Sequence, residues 1–433
     1  MSPVIAVVLA AVYLQRERDR KKRQSRRGRR KGKKERPRER RTVAQLYASL
    51  GDIYFRRAFR MDKSSFEVLA QKLVPGIMAA AQVEPIPSFY IPNGPIVPSS
   101  RLGIALRYFA GGDPMDIMMS FGVSHTEVLN SVWYVVDSVL RLEEFSLAYP
   151  SDHVTQRRIA REFKAKSDAN FDCCAGCIDG ILIWINRPSA TDCARSGCDS
   201  GKFFCGRKGK FGLNCQAVSD CRGRILDVSM VFPGSTSDCL AFEGSSLYGK
   251  LETTGFLAEG LCLFGDNAYL NSPYMATPYV GHVTEGYDAY NFHMSQLRIR
   301  VECAFGILTS RWGLLRRAMP KNMPLKKIIA IVNCLCRLHN YCIDRVDNEI
   351  LPQTMADQWH SEFQGVVPLE ERRGADVPIP RQLIGGGNHF DDSSRAIRRA
   401  HNRQYTGTVL PREKMRMHVE ALGLRRPTRS NRR

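Results

Sequence analysis

The chain has 433 residues, room for two or three domains, and 43% of them are hydrophobic, enough to bury a sizeable core. It carries 64 Lys and Arg against 43 Asp and Glu, a formal net charge of +21, which directs it toward a polyanionic partner: nucleic acid first, an anionic membrane second. Fourteen cysteines in a chain of this length, without a credible secretory start, argue against a disulfide-stapled secreted scaffold and for a reducing compartment.

In chain order, Val4 to Leu14 is apolar but shorter than the roughly 20 residues of a spanning helix. It lacks a basic n-region and a small-residue cleavage site. A membrane anchor with the basic side inside, a short amphipathic helix and an uncertain gene start are the readings open to it. Arg16 to Arg41 comes next, with 17 basic and 4 acidic residues, a local charge of +13. Such a block cannot collapse on itself, so 1–41 reads as an apolar start and a disordered basic arm. The arm can neutralise phosphates, serve as a nuclear localisation signal, or be a solvated tail with no partner. The expected location is the nucleus, with the cytoplasm as the alternative.

Residues 42–150 read as a helical domain. Ser99-Ser100 can cap a helix carrying Leu102, Ile104, Ala105, Leu106 and Phe109, broken at Gly111-Gly112. Pro114 suits a first turn before Met115 to Phe121, and Gly122 with Ser124 makes a tight turn into His125 to Leu142. Val128, Leu129, Val132, Val135, Val136 and Val139 recur there at helical spacing. Short helix, glycine turn and longer helix predict a helix-turn-helix; the alternative is a plain helical hairpin, since the second helix has few Arg, Lys, Asn or Gln.

From about residue 171 the pattern changes to strands: Ala175 to Trp184, Phe211 to Ser219 and Arg224 to Phe232, the last two joined by a turn at Asp220-Cys221-Arg222-Gly223. Ser235-Thr236-Ser237-Asp238 offers N-cap oxygens to a helix running toward Tyr248, and Leu261 to Gly265 suits a short buried strand. Met294 to Trp312 and Leu325 to Tyr341 read as helices. These elements describe an α/β layer with mixed strand directions over 171–342. Residues 343–433 form a largely irregular tail, with a linker suggested by Pro378, Pro380 and Gly385-Gly386-Gly387 and a terminal helix from Arg412 to Leu422. A basic cluster, Arg425 to Arg433, closes the chain.

Three carboxylates fall where such a sheet gathers side chains: Asp179 within the first strand, Asp266 after the fourth, and Glu302 on the later helix. A carboxylate ending an apolar strand is costly without a partner. Three converging acids invite divalent cations, and hard oxygen donors select magnesium or manganese over zinc. Each acid also has an ordinary reading. Asp179 can end a strand at a turn with Gly180, Asp266 can cap a helix, and Glu302 can pair with Arg298 four residues earlier. Cys174 and Cys177 have CxxC spacing, with Cys193, Cys198 and Cys205 further along. No second CxxC or HxxxH pair completes a zinc site, and most of these thiols sit in apolar runs as core residues do.

The strings around the acids resemble the DDE domain of the PIF/Harbinger transposases and their domesticated nuclease relatives. They are Ile178-Asp179-Gly180, Gly206-Arg207-Lys208-Gly209, Leu213-Asn214-Cys215-Gln216-Ala217-Val218, Pro233-Gly234-Ser235-Thr236-Ser237-Asp238, Gly265-Asp266-Asn267-Ala268-Tyr269, Arg300-Val301-Glu302-Cys303-Ala304-Phe305-Gly306, Arg311-Trp312 and Leu338-His339-Asn340-Tyr341, in the family's order over 175–342. Arg101 to Leu140 also resembles that family's helix-turn-helix segment. The resemblance implies an RNase H-like mixed-sheet domain behind a helical domain, two Mg²⁺ (or Mn²⁺) ions, and Asp179, Asp266 and Glu302 as metal ligands and catalytic residues. It implies cleavage, and joining, of double-stranded DNA at terminal inverted repeats, with help from a separate Myb/SANT-like protein; a homo-oligomer is an open alternative to a monomer. Arg207 and Lys208 fall at the family's basic pair, suited to holding phosphates. Asp238 is a family position too, read as a helix N-cap first and a supporting ligand second. The chain departs from its relatives at Ile181-Leu182, where they tend to be more polar, and at several cysteines; no ligand is lost. The rivals are a domesticated DNA- or chromatin-binding protein without nuclease activity and a zinc-stabilised interaction module.

Overall fold

A computed structural model describes residues 39–81, 95–281, 284–321, 323–346, 405 and 409–427. The apolar start, the basic arm up to residue 38, the Pro/Gly stretch near residues 378–387 and the last basic residues, 428–433, lie outside the described residues. No helix among the described residues is long and apolar enough to cross a membrane.

The first part is helical: α1 (Val43–Phe59), α2 (Lys63–Ala81), α3 (Pro98–Phe109), α4 (Pro114–Phe121), α5 (His125–Arg141) and α6 (His153–Lys164). Local chemistry sets several ends. Thr42 and Gln45 form a capping box at α1, and Asp152 accepts the Thr155 N–H at α6. At α3 the cap is Val97 rather than a serine, because Pro98, with its preset φ and no N–H to satisfy, occupies the first helical position. Asp113 caps α4, Gly122 ends it at φ +63°, and Ser124 caps α5, so the expected short helix, glycine turn and longer helix are present. The apolar side of α5 is buried against α2, α3 and a later helix, Leu325–Val346, leaving Ser124, His125 and Thr126 at its start exposed.

The sheet has six strands: β1 (Cys174–Trp184), β2 (Phe204–Cys205), β3 (Lys210–Ser219), β4 (Ile225–Pro233), β5 (Cys262–Phe264) and β6 (Met275–Ala276). Their order is β2-β3-β1-β5-β6, with β4 also on β3. Neighbours from β2 to β1 and β4 are antiparallel, whereas β1, β5 and β6 are parallel, giving the mixed directions expected. The β3–β4 turn closes where predicted, with Asp220 Oδ1 accepting the Arg222 and Arg224 N–H groups, each at 2.9 Å.

Helix α7 (Ala190–Ser196) lies between β1 and β2 in the chain. The single helix expected after Ser237 is two, α8 (Asp238–Glu243) and α9 (Ser246–Leu251). Gly244 lets the chain approach the Phe232 ring, where a Cβ would lie 2.3 Å from Cζ, and Ser245 caps the restart. Helices α10 (Glu285–Arg311), α11 (Leu325–Val346) and α12 (Pro411–Ala421) complete the fold.

The two faces of the sheet are covered differently. Ile178, Val218, Leu263 and Met275 pack with Tyr269 and the α8–α9 residues Phe242, Leu247 and Leu251. Cys177, Ala217 and Phe264, on the opposite face, pack with Leu297, Val301 and Ala304 of α10 and continue into the core of the helical part. Parity along the strands therefore sorts residues between an α8 face and an α10 face.

Candidate active site

The first two acids belong to neighbouring strand paths. Cys177 of β1 lies beside Phe264 of the parallel strand β5. Strand parity puts Asp179, two residues beyond Cys177, on the α10 face, and Asp266, just past the end of β5, acts on its carboxyl as a neighbouring negative charge. Asp179 is mid-strand, opposite Ala217 of β3, so it does not end the strand at a turn. Asp266 caps no helix; its Oδ1 accepts the Ala268 N–H at 2.8 Å in a local turn.

The third acid comes from α10, which lies on the same face with Leu297, Val301 and Ala304 buried. The Cys177 thiol donates to the Leu297 carbonyl at 3.3 Å, fixing that turn of the helix one strand step from Asp179. Glu302 projects beside Val301 and pairs with Arg298 at 2.6 Å. The ordinary pairing considered for Glu302 is thus present, but it sits within reach of the other acids.

The electrostatics report that proximity. The Asp179 carboxyl is raised to about 6, by burial first, with the charges of Asp266 and Glu302 adding to it; the Gly180 N–H and Arg298 act the other way. Burial would lower the Arg298 guanidinium, but Glu302, then Asp179 and Asp266, outweigh it and hold the proton more tightly. Arg298 is a site residue that the sequence showed only as a helix partner. Among the described residues, no three His, Cys, Asp or Glu side chains are already gathered round one point as a metal cage. The donor set nevertheless fits a hard cation: all three groups are carboxylates, and one is raised to about 6, by burial first and then by the charges of the other two.

Asp238 is not an N-cap. Ser237 holds that position and Asp238 is the first residue of α8. Its Oδ1 accepts from Asn214 Nδ2 at 3.0 Å and Gln216 Nε2 at 2.9 Å, on the α8 face beneath Gly180. The signal for Asn214 and Gln216 was legible: two amides at alternate positions of an otherwise apolar strand must be paired when buried.

Arg207 and Lys208 are exposed on the β2–β3 turn. That turn lies past Trp184, five residues beyond Asp179, or at least roughly 17 Å along the strand. It is not brought against the acids. Beside it, Lys210 Nζ stacks 3.2 Å from the Trp184 ring centroid. Cys174 and Cys177 are buried with Sγ atoms 3.9 Å apart, and burial pushes the Cys174 thiol well up, as in a core residue rather than a thiolate ligand.

Residues 178–340 match the family described as DDE superfamily endonuclease. A protein named "Protein ALP1-like" from Arabidopsis thaliana is 26% identical over 329 residues, 72% of this chain and 75% of the relative. Proteins named "Putative nuclease HARBI1" are similar as well. The one from Bos taurus is 26% identical over 283 residues (64% of this chain, 74% of the relative) and the one from Homo sapiens 25% over 281 residues (64% and 73%). No solved structure matches significantly.

Proposed function

We propose that the chain is a metal-dependent endonuclease of the PIF/Harbinger type acting on DNA phosphodiesters, a reading supported by the match of residues 178–340 to the DDE superfamily endonucleases, whose domain is RNase H-like. The observation that supports the reading is that three carboxylates from β1, the segment after β5 and α10 feel one another, Asp266 and Glu302 both raising the Asp179 carboxyl. DDE endonucleases generally use divalent metal ions. Asp179, Asp266 and Glu302 are the residues that would hold them, and two Mg²⁺ or Mn²⁺ ions would supply water activation and charge neutralisation for an in-line displacement.

The chain's own residues supply the rest. Asp179 is largely buried, where charge is weakly screened, whereas Glu302 of α10 is open to solvent and to an approaching phosphate. Arg298 neutralises part of their repulsion and offers a donor to a phosphate. The first turn of α5, the arm before α1 and the Arg207–Lys208 turn provide separate cationic or polar contacts for a DNA backbone. Joining of ends, terminal inverted repeats as substrate, a Myb/SANT-like partner and a nuclear location belong to the same reading and rest on the resemblance.

The test is cleavage of linear and branched duplex DNA by the purified chain in Mg²⁺, Mn²⁺ or EDTA, beside Asp266→Asn. Metal-dependent cleavage lost in the variant is the expected result. DNA binding without cleavage in any metal, with or without an added partner protein, would instead establish the domesticated DNA-binding protein.

A further inference from the structure

Asp266 lies beyond the last paired residue of its strand. Gly265 still donates to the Ala276 carbonyl at 3.0 Å, but the position of Asp266 depends on the three residues after it. The Tyr269 N–H donates to the Asp266 carbonyl, and the Ala268 N–H donates to its carboxylate. Two hydrogen bonds thus tie Asp266 to Ala268 and Tyr269, and Tyr269 is the anchored end of the turn. The Tyr269 ring is buried against Phe242, with centroids 5.8 Å apart.

The anchor continues through a chain of polar groups under the sheet. The Tyr269 hydroxyl donates to Gln216 Oε1. Gln216 Nε2 donates to Asp238 Oδ1 and, at 2.8 Å, to Asn214 Oδ1. Asn214 Nδ2 donates to Asp238 Oδ1 and, at 3.0 Å, to the Thr236 carbonyl. Both amides are thereby fixed in one orientation, since each oxygen receives a donor and each nitrogen gives to an acceptor. The network lies directly beneath β1: a Cβ on Gly180 would stand 2.2 Å from Asp238 Oδ1 and 2.7 Å from Gln216 Nε2. It joins β3, the start of α8 and the segment after β5 on the face opposite Asp179.

We propose that Asn214, Gln216, Asp238 and Tyr269 form a positioning unit that holds the Asp266 turn in place near Asp179, with Asp238 as its ionic hub rather than a metal ligand. This rests on the nuclease reading above. Asp238 Oδ1 is already engaged by two amide donors on the far face. Its negative charge is what makes both amides turn their NH₂ groups inward, which leaves Gln216 Oε1 to receive Tyr269. Neutralising the hub, or removing the tyrosine hydroxyl, frees the Asp266 turn without touching any of the three acids.

The experiment uses the full chain, with Tyr269→Phe, Asp238→Asn and the control Tyr274→Phe. The control removes a hydroxyl bonded to Glu252 in the same core, away from the network. Melting in EDTA establishes that each variant folds, and the rise in melting temperature on titrating Mn²⁺ gives its apparent metal affinity. Loss of supporting hydrogen bonds behind metal ligands typically costs about 10–100-fold in affinity. A weakening of that order is expected in Tyr269→Phe and Asp238→Asn, with wild-type affinity in the control. Should Asp238→Asn not fold, Tyr269→Phe, which keeps the packed ring, decides the matter alone. Wild-type Mn²⁺ affinity in a folded Tyr269→Phe protein overturns the inference while leaving the nuclease reading intact. Absence of any Mn²⁺ response in the unaltered chain overturns both.

Discussion

The Asp179 carboxyl lies in β1 beside Asp266 and Glu302, with burial and those charges holding its proton up to about pH 6 against the pull of the Gly180 N–H and Arg298. An acid whose folded pKa lies above its unfolded one stabilises the protein fully below the unfolded value, and loses that contribution as pH rises through the folded value. In EDTA, Asp179→Asn should therefore match the wild type near pH 4 and exceed it above pH 6. The gain at pH 7.5 is roughly 1–3 kcal/mol, from about 1.4 kcal/mol per pKa unit. Thermal melts at the two pH values check this, and an equal difference at both would mean that the charge is not the cause. The same proton makes metal binding weaken below about pH 6. Gly180 carries a second prediction. Because its missing Cβ leaves room for the Asp238 carboxylate, Gly180→Ala should destabilise by roughly 1–3 kcal/mol, as overpacking does. A melting temperature equal to wild type would show that Asp238 gives way freely.

At the scale of elements, α10 delivers both Glu302 and the cation that tempers it. Arg298 is the half-buried positive group whose proton is held more tightly by Glu302, Asp179 and Asp266 together. Replacing it with Gln should raise the Asp179 pKa further and shift the acid limb of the cleavage–pH profile upward, with the alkaline limb unmoved; an unmoved acid limb would remove Arg298 from the site. How legible these elements were depends on their length and pairing. β1, β3, β4, α10 and α11 carry periodic apolar faces, and their centres were predictable. β2 and β6 are two residues each and exist only through their partners, so no periodicity could reveal them. Helix α6 did have a cap signal, Asp152, and a short apolar stripe of Ile159, Ala160 and Phe163, which a run of arginines obscured. The three acids stood out as polar residues in apolar settings. Their mutual proximity did not, because it depends on the β1–β5 pairing. The Leu338–Tyr341 string has a structural use that spacing could not show. Asn340 clamps the Ile225 backbone at 2.8 and 2.7 Å, His339 Nε2 lies 2.9 Å from the Gly223 carbonyl, and Tyr341 donates to the Ser65 carbonyl at 2.6 Å.

Across the whole molecule, the described residues from 41 to 81 and from 96 onward form one compact unit, and its main apolar core runs from α1 through the sheet. Trp312 is fully buried against Phe109, and Arg337 donates to the Val139 and Leu140 carbonyls at the end of α5. A fragment of residues 171–342 would uncover Trp312 and Tyr341, which pack on Phe109 and Phe145, and should aggregate or melt without a cooperative transition; a sharp transition would show that the sheet and its helices stand alone. Because α5 is committed to this core, its exposed first turn offers few cations, and the main source of DNA affinity should be the arm. Each arm cation seated on a phosphate contributes about 0.9 to the slope of log affinity against log salt. Removing residues 1–38 should flatten that slope by several units while metal-dependent cleavage persists at low salt, since Thr42 still caps α1 and the acids are untouched. Anisotropy titrations from about 50 to 300 mM salt, run in EDTA on one duplex, separate the two functions. A slope that survives the deletion would transfer the phosphate contacts to the Arg207–Lys208 turn and the rest of the folded unit, and leave the arm a role outside DNA binding.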